Sequence, residues 1–346
     1  MEIRLVDALT SSSRRTERSA SGNPPEKSPI FPLGSPATRI PAGRAIMWSV
    51  SAIRGLAPAP ALDRLPPVGL VLTGICSVQV GAAVAATIFD EVGASGATLL
   101  RLGMAAVVAA VVFRPDLRGH GAADLRLGVL FGLTLGVMNL AFYEALDRIP
   151  LGVAVTIEFA GPLGVAVALS RRRLDYAWAA LAAAGIVLLA DPGGGGLDPV
   201  GLALILLAAA CWAAYILISQ RVGRVFPGRT GIGLALIVAA LVPIGPGIAQ
   251  GGWELLDPRL LALGLLVGVA SSVVPYTLEN EALRRIPAHV FGVLMSLEPA
   301  VAALAGLLIL GQALGARELA AMALVVLASI GVTRAAPPGT PRPVDP

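Results

Sequence analysis

A chain of 346 residues that is 56% hydrophobic and only 14% charged carries more apolar surface than a water-soluble fold of that length can bury. Its net charge of +4 and pI near 9.6 would suggest a nucleic-acid partner in a soluble protein, but the arginines gather in short connections between apolar runs and read instead as topology signals. These features exclude a soluble or nucleic-acid-binding domain and leave a polytopic membrane protein whose partner is the lipid bilayer.

The first 64 residues stand apart. "LTSSSRRTERSASGNPPEKSPIFPLGSPATRIPAGR" is polar, basic and proline-rich and has too little apolar content to order itself, so residues 1–64 read as a disordered cytoplasmic tail. It has no short apolar core followed by a small-residue cleavage site, so no signal peptide is expected, and Met47 offers an alternative start with a shorter leader. Apolar runs then recur at 67–88, 97–113, 127–146, 151–170, 176–190, 200–219, 232–249, 260–279, 289–310 and 319–335. Each is about long enough to cross a hydrocarbon core of roughly 30 Å at about 1.5 Å per residue. They are rich in Leu, Ala, Val and Gly and lack strand alternation, so the expected fold class is all-α, with ten transmembrane helices. The only cysteines, Cys76 and Cys211, fall inside the first and sixth spans and read as core packing, not as a disulfide.

Two octets carry the organisation. "YEALDRIP" at Tyr143–Pro150 returns as "NEALRRIP" at Asn280–Pro287, and the same offset of 137 residues links Pro162 to Pro299. Arginines on alternate connections number thirteen: Arg114, Arg118, Arg126, Arg171, Arg172, Arg173, Arg221, Arg224, Arg229, Arg284, Arg285, Arg334 and Arg342. The intervening connections hold only Arg148, Arg259 and Arg317, which places both termini in the cytoplasm. The first octet then faces out and the second faces in, because five helices is an odd number and the second half inserts upside down. Inverted repeats of this kind build secondary transporters with a site near the midplane and access that alternates between sides.

Polar residues inside the spans supply the candidate site. Pro162 and Pro299 each remove a backbone donor and leave the carbonyl of Glu158 or Met295 without its helical partner, which reads either as a binding-site break or as a packing kink. Glu158 and Glu298 lie four residues and one residue before these prolines, and that three-residue difference turns a helix by about 300°, so both can address one cavity. A carboxylate at that depth costs roughly 2.5 kcal/mol or more and marks an ion or substrate path; low dielectric favours the neutral acid, which has a proton to exchange. Glu298 has a second reading as a cap for the helix that follows. Arg101, four residues into the second expected span, pairs with Glu158, anchors a substrate carboxylate, or snorkels to the interface. Gln79, Ser77, Asn139, Tyr143, Thr156, Trp212, Tyr215, Ser271, Ser272 and Tyr276 are candidate path-lining residues, with hydrogen bonding to the backbone as the alternative for the hydroxyls. Glu144, Glu279 and Glu281 lie near helix ends and read as solvated. Gly128, Gly132 and Gly136, spaced four apart, form a close-packing ridge.

Enzyme chemistry is not expected. His120 and His289 have no metal-ligand neighbours, "DPGGGGLDP" precedes no phosphate-binding helix with a lysine, and no cofactor or metal is implied. That glycine run reads as a flexible outer linker between the halves.

The paired five-helix units and "SLEPAVAALAGLLILGQ" resemble the EamA domains of the drug/metabolite transporter superfamily over about residues 67–335. "SVQVGAAVAATIF", "IPLGVAVTIEFAGPL", "ACWAAYILISQRVG" and "VPYTLENEALRRIPAHVFGVLMSLEPA" are similar to the threonine/homoserine exporter group within it. The resemblance implies a first EamA repeat at 67–190, a second at 199–335 and a cytoplasmic C-terminal tail at 336–346. It also implies a bacterial inner membrane, a central cavity, and export of small amino acids in exchange for protons. The leader has no counterpart in the family, and the site residues rest on the membrane argument alone. Cargoes of drugs, aromatic amino acids or other metabolites form a second reading, favoured if Trp212, Tyr215 and Tyr143 line the path, and a non-transporting membrane scaffold forms a third.

Overall fold

The computed structural model describes residues 65–335 except 170–171, 191–196, 227–229, 284 and 287, and omits the side chains of 169, 273, 276, 277, 280, 283, 288, 289 and 335. The expected tails 1–64 and 336–346, most of the glycine linker, Arg171, Arg229 and two positions of the second octet therefore lie outside the described residues. The described residues are helical, with no strand among them. In chain order the helices are α1 (Pro67–Ala86), α2 (Phe89–Val108), α3 (Ala122–Leu146), α4 (Leu151–Glu158), α5 (Ala160–Leu169), α6 (Arg173–Ala190) and α7 (Pro199–Val225). After these come α8 (Thr230–Ala239), α9 (Ile244–Gly251), α10 (Pro258–Gly268), α11 (Val274–Leu283), α12 (Ala288–Met295), α13 (Glu298–Leu310) and α14 (Ala316–Ala335).

Local chemistry sets the starts. Pro67 opens α1 behind an extended Pro66. Two Asp-Pro pairs open α7 and α10: the Asp198 carboxylate accepts from the Gly201 N–H at 2.7 Å, Asp257 accepts from the Arg259 N–H at 2.7 Å, and Pro199 and Pro258 have no N–H to leave unpaired. The breaks fall at the prolines, as the spacing predicts. α4 and α5 part at Phe159, three residues before Pro162, and α12 and α13 part at Ser296–Leu297, just before Pro299.

Among the described residues eight helical stretches are long and apolar enough to span a bilayer, and α8 with α9 and its 3-10 extension makes a ninth if a 46° bend is counted within one span. Pro258–Ser272 is apolar but shorter. Their outward faces carry exposed leucines such as Leu266, Leu307, Leu308 and Leu327, which suits lipid and not water. The chain is a multi-pass helical membrane protein.

The second span begins earlier than its hydropathy predicts. α2 is kinked at Gly93, which adopts φ +71°, ψ 167°, so a first turn at Phe89–Val92 precedes a main body that runs from Ala94; only glycine takes that conformation without strain. Cys76 also departs from expectation: it is exposed on the outer face of α1 instead of packed in the core, while Cys211 is half-buried.

α4 sits deepest, with every residue from Leu151 to Glu158 buried. Around it α1 packs on α11 and α13, α2 on α9 and α10, α3 on α7 and α8, α4 on α7 and α13, and α6 on α14. Small residues permit these approaches. A Cβ at Gly132 or Gly136 would strike the Ala235 or Ala239 carbonyl of α8, and one at Gly152 would strike Ala303 of α13.

Candidate functional site

A cavity of about 260 Å³ lies where α1, α2, α3, α4, α7, α11 and α13 converge. Its wall brings together nine of the expected residues, Gln79, Arg101, Asn139, Glu158, Trp212, Tyr215, Ser271, Ser272 and Glu298. The two glutamates are 9% and 7% exposed, so the carboxylates that the broken helices carry are both withdrawn from bulk solvent and face one space.

Each polar group is held differently. Gln79 Nε2 donates to Glu298 Oε1 at 3.1 Å. Arg101 Nη1 donates to Asn139 Oδ1, while Asn139 Nδ2 donates back to the Leu135 carbonyl of its own helix at 2.8 Å. The guanidinium carbon lies 5.3 Å from the Tyr143 ring centroid, a cation–π contact that fixes the guanidinium from behind. Trp212 and Tyr215, one turn apart on α7, are set by Phe159, edge-on at 5.3 Å, and by Phe131, stacked at 4.8 Å. Among the described residues four buried polar atoms on this wall have no hydrogen-bond partner: Gln79 Oε1, Arg101 Nε, Ser271 Oγ and Glu298 Oε2. Buried polar groups are normally paired, so a wall with four orphans is shaped for something polar.

Several expectations are corrected. Arg101 makes no ion pair with Glu158 among the described residues; it stands on the cavity wall, where Asn139 takes its guanidinium. Ser77 and Thr156 instead follow the alternative of backbone bonding, Ser77 donating to the Ala270 carbonyl at 2.7 Å and Thr156 to the Gly152 carbonyl at 2.6 Å. Tyr143 is buried behind Arg101 and does not line the cavity. Pro162 and Pro299, expected as helix breaks and not as lining residues, are absent from the wall. The Tyr276 side chain lies outside the described residues.

Glu279 is half-buried and joins the cavity wall. Glu281 pairs with Arg285 at 2.6 Å, and Glu144 accepts from the Ser95 hydroxyl and from Gln250 Nε2 at 3.1 Å. Sequence reasoning also missed Pro275, a wall residue; a proline inside an apolar run, one turn before Glu279, was the available signal. Among the described residues no three His, Cys, Asp or Glu side chains are placed to hold a metal ion.

A profile of the EamA-like transporter family matches residues 199–334. The chain is 41% identical over 270 residues to the threonine/homoserine exporters RhtA of Escherichia coli (strain K12) and Salmonella typhimurium (strain LT2), covering 77% of this chain and 91% of each relative. The chain belongs to the EamA-like transporter family. It is also 29% identical over 256 residues to the uncharacterized transporter YwfM of Bacillus subtilis (strain 168), covering 70% of this chain and 84% of that one. This EamA-like protein is therefore a membrane transporter and not an enzyme, and its relatives are named for transport and export.

Proposed function

We propose that this transporter exports small amino acids of the threonine and homoserine type across the inner membrane by proton antiport with alternating access. The observation that carries the reading is the cavity itself, where two buried glutamates and one arginine face a space of about 260 Å³. An exported zwitterion needs an anionic partner for its ammonium and a cationic one for its carboxylate. Glu298 or Glu158 meets the first need and Arg101, steadied by Asn139 and Tyr143, meets the second. A carboxyl that binds either a proton or an ammonium, but not both, couples the two fluxes in opposite directions.

Ten spans in two inverted repeats, 67–190 and 199–335, complete the proposal. It is supported by the packing: taking α4–α5, α8–α9, α10–α11 and α12–α13 as one span each, moving every span five places on converts the contacts of α1 with α11 and α13 into those of α7 with α3 and α4. The contact of α2 with α10 likewise becomes that of α8 with α3, and the α2–α9, α4–α13 and α6–α14 contacts map onto themselves. With both termini in the cytoplasm, the polar knot of Ser95, Glu144 and Gln250 and the Glu91–Arg259 ion pair at 2.9 Å lie on the outer side and fasten the halves there.

The second reading, export of aromatic amino acids, drugs or other metabolites, is favoured by Trp212 and Tyr215 on the wall. The volume disfavours large cargo, since drug-sized pockets run to roughly 300–1,000 Å³. Purified protein in proteoliposomes should exchange labelled threonine and homoserine and accumulate them against an imposed proton gradient. Flux of an aromatic panel with none of either hydroxyl amino acid would replace the first reading with the second.

A further inference from the structure

Resting on the reading of this cavity as an amino-acid site, we propose that Ser271 and Ser272 form the subsite for the side-chain hydroxyl of the cargo. The transporter thereby prefers small hydroxylated amino acids to their hydroxyl-free counterparts.

Among the described residues six serine and threonine side chains are buried: Ser95, Thr98, Thr156, Ser271, Ser272 and Ser296. Three of these bond back to their own helix, Thr98 to the Ala94 carbonyl at 2.8 Å, Thr156 to Gly152 at 2.6 Å and Ser296 to Gly292 at 3.0 Å, and Ser95 donates to Glu144. This back-bonding is the ordinary way for a hydroxyl to be satisfied within a membrane helix. Ser271 and Ser272, 7% and 4% exposed, make no such bond, and both line the cavity.

The local backbone accounts for the exception. Both serines lie in a π turn, Val269–Val273, whose carbonyls are spaced differently from those of an α-turn. Pro275 follows and has no N–H to give to the carbonyls four and five residues back, Ser271 and Ala270. α1 is cut to fit this turn. Ser77 donates to the freed Ala270 carbonyl at 2.7 Å, and one turn on, Gly81 leaves room for the Ser271 hydroxyl, which any Cβ there would strike. Ser271 and Ser272 thus stand on the wall shared by Gln79, Glu298 and Arg101, with the Ser271 hydroxyl buried against Gly81 and without a hydrogen-bond partner, making a third polar point beside the acid and the base.

A hydroxyl both donates and accepts, so it pairs with a cargo hydroxyl whichever way the latter points. A cargo with a methyl in that place leaves the serines unpaired after water is displaced, and sites built to bond a hydroxyl reject such analogues strongly.

The test is counterflow of labelled threonine into proteoliposomes holding the full chain, competed by threonine, homoserine and serine against valine, 2-aminobutyrate and alanine. The hydroxylated members of each pair should compete at concentrations lower by about tenfold or more. In a variant carrying S271A and S272A the threonine-to-valine ratio should fall toward one. A wild-type protein that does not distinguish threonine from valine overturns the subsite without any variant, and so does a folded double variant that keeps the wild-type ratio. Absence of counterflow with every amino acid overturns the exporter reading and the subsite with it, an outcome distinct from transport without discrimination.

Discussion

Glu298 is held by a single hydrogen bond from Gln79 and keeps its second carboxylate oxygen unpartnered on the cavity wall, while Glu158 faces the same space from α4. A glutamine at either place keeps the shape and removes the exchangeable proton. Glu158→Gln and Glu298→Gln should therefore reach the membrane at normal levels and lose efflux driven by a proton gradient; wild-type export by both would remove them from the mechanism. Arg101 is fixed by a cation–π contact with Tyr143 and a bond to Asn139, an arrangement that the compact lysine ammonium does not match. Arg101→Lys should raise the half-saturating threonine concentration by about tenfold or more, the worth of a charged hydrogen bond, and an unchanged value would assign Arg101 to structure alone. Both glutamates and Arg101 were legible as residues that lipid does not tolerate without cause. Glu279 was not, because nearness to a predicted helix end suggested water where the fold supplies a wall.

Elements depart from straight helices at points that serve the site. Gly93 turns within α2 at φ +71° so that the Gln250 side chain fits against the backbone, where its Oε1 accepts from the Ser95 N–H at 2.8 Å. Gly93→Ala should cost about 1–3 kcal/mol from the backbone conformation alone, seen as earlier thermal unfolding in detergent; an unchanged transition would mean that the turn is not strained by a side chain. The α3 ridge is read directly from its spacing, and the structure shows what it touches, namely the α8 backbone. The π turn before Pro275 was invisible beforehand, since hydropathy has the same value whichever carbonyl a given N–H chooses.

At the scale of the molecule the two halves grip one another more than each grips itself, with α1 set among α11 and α13 and α3 among α7 and α8. In the alternating access we propose, one half would move against the other, and the fastening of α2, α3 and α9 through Ser95, Glu144 and Gln250 would belong to one of its end states. The antiparallel arrangement has a direct test. In a background lacking Cys76 and Cys211, a cysteine at Asp147 should react with an impermeant reagent applied to intact cells, and one at Arg285 should react only after the membrane is opened. Equal reaction of both from outside would end the inverted-repeat proposal.

By itself the chain's order of residues determined the helical class, the membrane setting, the breaks at Pro162 and Pro299, and the buried acids and base. Each of these is a local matter of apolar length, a missing N–H or a charge set in an apolar run. Tertiary structure alone decided that Arg101 bonds Asn139 instead of Glu158, that Tyr143 stands behind the cavity, that Glu279 stands on its wall, and that the Ser271 hydroxyl is left without a partner there. These depend on which helix faces are apposed across the two halves. Apposition is set by small residues meeting backbones far away in the chain, as Gly81 meets Ser271 and Gly152 meets Ala303, and no local window of sequence contains both members of such a pair.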